Sequence, residues 1–254
     1  MRLVGVHLQQ TIDLIDARRP SAVAELNADG ALVGLAFAVS DAEIIDAAGG
    51  PPALVAVDAP LTVTNETGRR DLDHLLAWCD VPVFPASRRR LTQVHGGIRG
   101  PGLRVAATAA HLDVVETVPD LALRLLSFCD EGGPSGDLAA DRARWVGIRP
   151  PQFRPKRAGR ARAQGILAAA ALLRRHVDLG GWAPLAHPDD WSAIRDAAAV
   201  DAIACAWVAH RAAREPGGVL RLGDVLLPVD GHLRTRIEIN LARLAGSEPH
   251  GDRS

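Results

Sequence analysis

The chain has 254 residues, 48% of them hydrophobic, so it carries enough apolar side chains for a buried core and is not intrinsically disordered. Lysine plus arginine number 29 and aspartate plus glutamate 30, a formal net charge of -1, so overall charge neither requires nor forbids a polyanionic partner. Lys156 is the sole lysine, which makes arginine abundance a compositional habit and leaves position to carry any argument about binding.

Cys79, Cys129 and Cys205 are odd in number, far apart and without C-x-x-C spacing. That speaks against a disulfide framework or a thiolate zinc site and for a reducing compartment. The chain enters directly into an apolar run, Leu3 to Leu8, with no charged-then-apolar leader, and no stretch reaches the length of a membrane span. The expectation is a cytoplasmic protein without a membrane segment.

Taken in chain order, Leu3 to Leu8, Ser21 to Leu26 and Ala31 to Val39 read as three strands, the last two joined by the Asn27-Ala28-Asp29-Gly30 turn. Ser40-Asp41 caps a short helix, Ala42 to Ala48, which Gly49-Gly50-Pro51-Pro52 closes. Ala53-Leu54-Val55-Ala56-Val57-Asp58 is apolar but for its last residue and reads as a central strand buried on both faces. A helix from about Arg69 to Trp78 follows, then an irregular stretch rich in Pro, Gly and Arg from Val81 to Gly102. Next come a strand at Leu112 to Val118 and a helix that Pro119 opens. Helices are also expected around Asp137 to Trp145, over Gly159 to Arg175, and from Asp189 to Arg214 with Asp189 or Asp190 as cap. Beyond Gly217, Val219 to Leu222 and Val225 to Val229 are short apolar pieces between turns. The economical reading is one α/β domain over residues 1–245, a five-stranded mixed sheet with a three-strand antiparallel start and helices on both faces, followed by a disordered tail at 246–254.

Strand ends in such a sheet are where ligands gather. Asp58 ends the central strand before Ala59-Pro60, Glu116 ends the later strand in the same way, and Asp201 lies in the otherwise small and apolar run Ala202 to Ala209. Three converging acids would hold a hard cation such as Mg²⁺ or Mn²⁺, and two such ions about 3.5–4 Å apart would drive phosphodiester hydrolysis. The alternative for each is structural: a turn or cap residue for Asp58 and Glu116, a helix cap or solvent-facing acid for Asp201.

The segments Val55-Ala56-Val57-Asp58-Ala59-Pro60-Leu61, Gly68-Arg69-Arg70, Val81-Pro82-Val83-Phe84-Pro85, Val115-Glu116-Thr117-Val118-Pro119 and Asp201-Ala202-Ile203-Ala204-Cys205-Ala206 occur in that order. In this the chain resembles a nuclease family catalogued as domain of unknown function 429, over roughly Leu3 to Arg214. The resemblance implies a ribonuclease H-like fold, distantly similar to RuvC-type resolvases, and metal-dependent phosphodiester cleavage with acids on the first strand, the fourth strand and the last helix. On that basis Asp58 and Asp201 inherit roles as catalytic metal ligands, and Glu116 that of a further ligand or neighbour. Resolvases act as dimers, which leaves a homodimer open.

One departure stands out. Where relatives carry Gly-x-Asp at the end of the first strand, this chain has Gly5-Val6-His7. His7 is then either a ligand for a transition metal or a hydrogen-bonding strand-end residue, and imidazole suits Mg²⁺ poorly and cannot bridge two ions. Asp13 or Asp16 are alternative donors. The second functional reading follows: an inactive module that binds nucleic acid or protein.

For phosphate contacts, Arg142 to Arg162 holds eight basic residues and no acid, among them Arg154, Lys156 and Arg157. Trp145 and Phe153 in that stretch are either core or base-stacking residues. Arg88-Arg89-Arg90, with Arg99 and Arg104, form a second basic group. Arg69 and Arg70 are a third, with a salt bridge to Asp71 or Asp73 as the plain alternative. Nucleic acid is therefore the expected partner. There is no Walker A loop, no G-x-G-x-x-G after a strand, no H-E-x-x-H and no G-x-S-x-G, which excludes P-loop, dinucleotide, zincin and α/β-hydrolase chemistries. An actin-like kinase would need a second related domain and glycine-rich phosphate loops.

Overall fold

In the computed structural model, which describes residues 1–10, 19–153 and 159–246, the N-terminal apolar run forms strand β1 (Arg2–His7). The next two segments form β2 (Ser21–Leu26) and β3 (Leu32–Ala38). The turn between them is held by Asn27, whose side-chain oxygen accepts from the N–H groups of Asp29 and Ala31 at 3.0 and 2.9 Å. Helix α1 (Asp41–Ala48) begins with a capping box between Ser40 and Glu43, and Gly49 ends it. Strand β4 (Ala53–Asp58) is buried at every position but the last. At about 1.5–3 kcal/mol for each fully buried Val or Leu side chain, its composition fixes it at the centre of the sheet.

Helix α2 (Asp71–Trp78) follows, and the stretch expected to be irregular instead contains α3 (Arg88–His95) and the start of α4 (Gly100–Ala109). The residues that suggested a loop act as caps: Ser87 accepts from the Arg90 N–H, Gly96 takes the left-handed conformation at φ 75° that closes α3, and Pro101 sits in the first turn of α4. Strand β5 (Asp113–Glu116) leads into α5 (Pro119–Asp130), opened by Pro119. Asp137 caps α6 (Leu138–Gly147), α7 spans Gly159–Arg174, and Asp189 caps α8 (Asp190–Arg214). The chain continues through β6 (Val219–Leu222) and β7 (Val225–Pro228) to α9 (Gly231–Gly246). The segment expected to be a tail lies outside the described residues beyond Gly246.

Among the described residues the sheet has seven strands in the order β3-β2-β1-β4-β5-β7-β6, which corrects the expected five. Strands β6 and β7 form an antiparallel hairpin, and β7 joins β5 in parallel through Glu116 and Val225. Each is only four residues long, too short for an alternating pattern to distinguish a strand from a turn. β1, β2 and β3 pair antiparallel, while β1, β4 and β5 pair in parallel, so the α/β class and the three-strand antiparallel start stand.

Strand alternation sorts side chains into two layers. Leu3, Leu54, Ala56 and Val115 face the layer holding Leu121 of α5, Leu173 of α7 and most of α8. Val4, Val6, Val55 and Val57 face the opposite layer, with Ile44 of α1 and Leu103 of α4. Cys79 and Cys205 are buried and Cys129 is half-buried, all three as free thiols. No helix among the described residues is long and apolar enough to cross a membrane.

Candidate metal centre

Parallel pairing of β1 with β4 sets His7 directly beside Asp58 at the carboxyl ends of two central strands. Both belong by alternation to the face that α8 covers. That helix approaches β1 backbone to backbone: a Cβ on Gly5 would fall 2.0 Å from the Ala202 carbonyl oxygen and 2.1 Å from the Ala206 nitrogen. Only glycine permits this contact, and it carries Asp201, the residue before Ala202, down to the strand ends.

His7 Nδ1 lies 3.0 Å from Asp58 Oδ2 and 3.5 Å from Asp201 Oδ2. The Asp201 side chain is 4% exposed, whereas those of His7 and Asp58 are 25% and 29% exposed and open to solvent. One ligand atom from each of the three lies within 4.8 Å of the others, and this is the one such group of three or more among the described residues. The donors are one nitrogen and two carboxylate oxygens. Such a set fits a single ion with bonds of about 2.0–2.2 Å, and its imidazole favours Mn²⁺ or Zn²⁺ over Mg²⁺.

Glu116 does not enter this group. Its register partner on β4 is Val57, which faces the opposite layer from Asp58. Its carboxylate instead takes a paired hydrogen bond from Arg70, at 2.7 and 2.9 Å, and accepts the Leu61 N–H at 3.0 Å. Burial pushes the Glu116 carboxyl up from its ordinary range against the pull of the guanidinium. The Arg70 guanidinium, held by both Glu116 and Asp73, stays charged. Glu116 and Arg70 together pin the loop that follows Asp58, since Arg70 also donates to the Thr62 carbonyl at 3.3 Å.

Of the other basic residues, Arg69, Arg88, Arg89 and Arg90 are exposed. Arg99 is bonded internally to Asp41 and to the Gln9 and Val39 carbonyls, and Arg104 to Asp224. Arg144 caps the carbonyls of Glu131 and Gly133. Trp145 and Phe153 are buried core residues, 0% and 2% exposed, and the Trp145 indole donates to the Cys79 carbonyl, so neither is a surface for stacking bases. Arg154, Lys156, Arg157, Asp13 and Asp16 lie outside the described residues.

A cavity of about 290 Å³ opens beside the triad, lined by His7, Asp58, Arg70, Glu116, Phe84 and His95 among others. A second, of about 250 Å³, adjoins its other side and is lined by His7, Asp201, Arg19 and Arg162. Sequence reading assigned no role to Phe84, His95, Arg19 or Gln9; the Pro82 and Pro85 that bracket Phe84 were the available signal of a fixed loop. No family model, curated protein or solved structure matches the chain. The chemistry of the site rests on its own geometry.

Proposed function

We propose that the protein is a metal-dependent nuclease of ribonuclease H-like type, hydrolysing phosphodiester bonds in DNA or RNA. The observation that carries this reading is the convergence of His7, Asp58 and Asp201 from two adjacent parallel strands and a helix laid across them. The strand order β3-β2-β1-β4-β5, with ligands from β1, β4 and a helix packed on that face, supports the resemblance drawn from the sequence. The helix that supplies Asp201 is α8 and not the last in the chain.

Asp58, Asp201 and His7 would hold one divalent ion, Mn²⁺ in preference to Mg²⁺. When bound, such an ion neutralises phosphate charge and lowers the pKa of a water. The chain does the positioning. Asp201 is fixed by the buried surface of α8, Asp58 by the sheet and by the Glu116–Arg70 brace on the following loop, and His7 by its register with Asp58. Exposed Arg69, Arg88 and Arg89 are suited to phosphates flanking the cut, a contact that positions the strand without reading its sequence.

His7 also favours a second reading, an inactive module that binds nucleic acid or protein. Its Nδ1 contacts both acids, and an imidazole would not bridge two ions as a carboxylate would. Titration of Mn²⁺ and a cleavage panel of single-stranded, duplex and branched DNA and RNA separate the two. The nuclease reading predicts cleavage by wild type that Asp58→Asn and Asp201→Asn abolish, with Mn²⁺ affinity lowered at least tenfold in each. Mn²⁺ binding unchanged in both variants sinks it. Silence in wild type with cleavage gained in His7→Asp establishes the inactive scaffold.

A further inference from the structure

Part of the lining of the 290 Å³ cavity is apolar. Leu76, Pro82, Val83, Leu91 and Pro119 line it, and Phe84 stands at its rim with 45% of its surface exposed. The Phe84 ring is contacted by the His95 imidazole, edge-on with centroids 6.0 Å apart, and by the Arg90 guanidinium, which lies over one face of the ring 5.4 Å from its centroid. Burial lowers the pKa of His95, which keeps that ring neutral at pH 7. Pro82 and Pro85 bracket the segment and restrict its backbone.

A phosphate gains nothing against such a wall, whereas the flat apolar face of a base does. The cavity sits at the lower end of the roughly 300–1,000 Å³ typical of small-molecule sites, room for about one nucleotide unit. A base inside a duplex is stacked and paired, and it reaches such a pocket only by leaving the helix. Exposed Arg88 and Arg89 at the start of α3 carry the charge that the adjoining phosphates require.

We infer that Phe84 is a stacking platform for one unpaired base, so that the ligand of this site is single-stranded nucleic acid, threaded past Phe84 with its backbone along the start of α3. The choice of nucleic acid rests on the nuclease reading; the stacking role is tested without it. A short dye-labelled single strand carrying 2-aminopurine, and its duplex, are titrated with full-length protein in EDTA, following anisotropy and 2-aminopurine quenching. Expected is tighter binding of the single strand than of the duplex, by about tenfold or more. Phe84→Ala is expected to weaken single-strand binding about 5- to 140-fold, which corresponds to about 1–3 kcal/mol per stacked base, and to abolish quenching. Phe84→Trp should retain both. Phe84 is half exposed, and circular dichroism establishes that the alanine variant folds. Binding unchanged in Phe84→Ala, duplex bound as tightly as single strand, or no binding of either overturns the inference. Phe84-dependent binding without cleavage in Mn²⁺ leaves it standing and removes the nuclease reading; cleavage that Phe84→Ala does not alter does the reverse.

Discussion

Gly5 on β1 and Ala202 on α8 meet backbone to backbone, with no room for a single methyl group between them. The candidate metal centre lies at the end of this contact, because Asp201 precedes Ala202 and His7 follows Gly5 by one turn of the strand pleat. Gly5→Ala therefore forces α8 away from the sheet and Asp201 away from His7. A loss of about 1–3 kcal/mol or more is expected from overpacking, a fall in Tm of about 2–4 °C for each kcal/mol, together with Mn²⁺ affinity lowered at least tenfold. Gly50→Ala, where an added Cβ meets nothing within 4 Å, should change neither in calorimetry and metal titration.

Arg70 supports two buried carboxylates at once, Glu116 and Asp73. Removing one member of a buried ionic cluster leaves uncompensated charge, so Arg70→Ala should cost about 3–5 kcal/mol in urea unfolding. Arg70→Lys should recover only part of this, since lysine cannot form the paired bond that the guanidinium gives Glu116. Equal stability of Arg70→Ala and wild type would remove the brace from the account of how the Asp58 loop is held.

Asp141 accepts the Ser135 N–H at 2.8 and 3.0 Å on its two oxygens, the Ser135 hydroxyl at 2.8 Å and the Gly136 N–H at 3.2 Å. The Ser135 backbone bonds, first among these contacts, hold its carboxyl below the usual range. A group with a lowered folded pKa stabilises the fold above its unfolded pKa, about 3.9 for aspartate, and loses that contribution as pH falls through the folded value. Thermal midpoints of wild type and Asp141→Asn should differ at pH 7 and draw together as pH falls below about 4; a constant gap would mean that the charge on Asp141 is irrelevant to its role.

Burial raises the thiol pKa of Cys79 and of Cys129. The fold thus favours the protonated form and loses stability as pH rises above the unfolded thiol value, about 8.5. Cys79 and Cys205 should be inert to a thiol reagent in native protein at pH 8 and Cys129 slow, with all three reacting in denaturant. Rapid native labelling of Cys79 would show that the α2–α9 side of the core opens readily.

Much of the secondary structure was legible because its signals are local. The apolar run closed by Asp58, the proline that opens α5, and the Ser40, Asp137 and Asp189 caps each act within a few residues of themselves. The same local logic failed between Val81 and Gly102, where glycine and proline mark the ends of α3 and α4, not the absence of helix. At Trp145 and Phe153 the arginine-rich neighbourhood left core and base stacking both open, and their side chains fill the core.

The sequence by itself determined the α/β class, the antiparallel start and the three residue types at the candidate centre, since periodicity, caps and strand-end acids need no distant partner. Only the tertiary structure decided which of those residues meet. His7 reaches Asp58 through a parallel register across 51 positions, Asp201 arrives because Gly5 lacks a Cβ, and Glu116 is turned away because its strand position faces the other layer. Register and close approach are contacts between remote segments, and no local pattern in either segment encodes them.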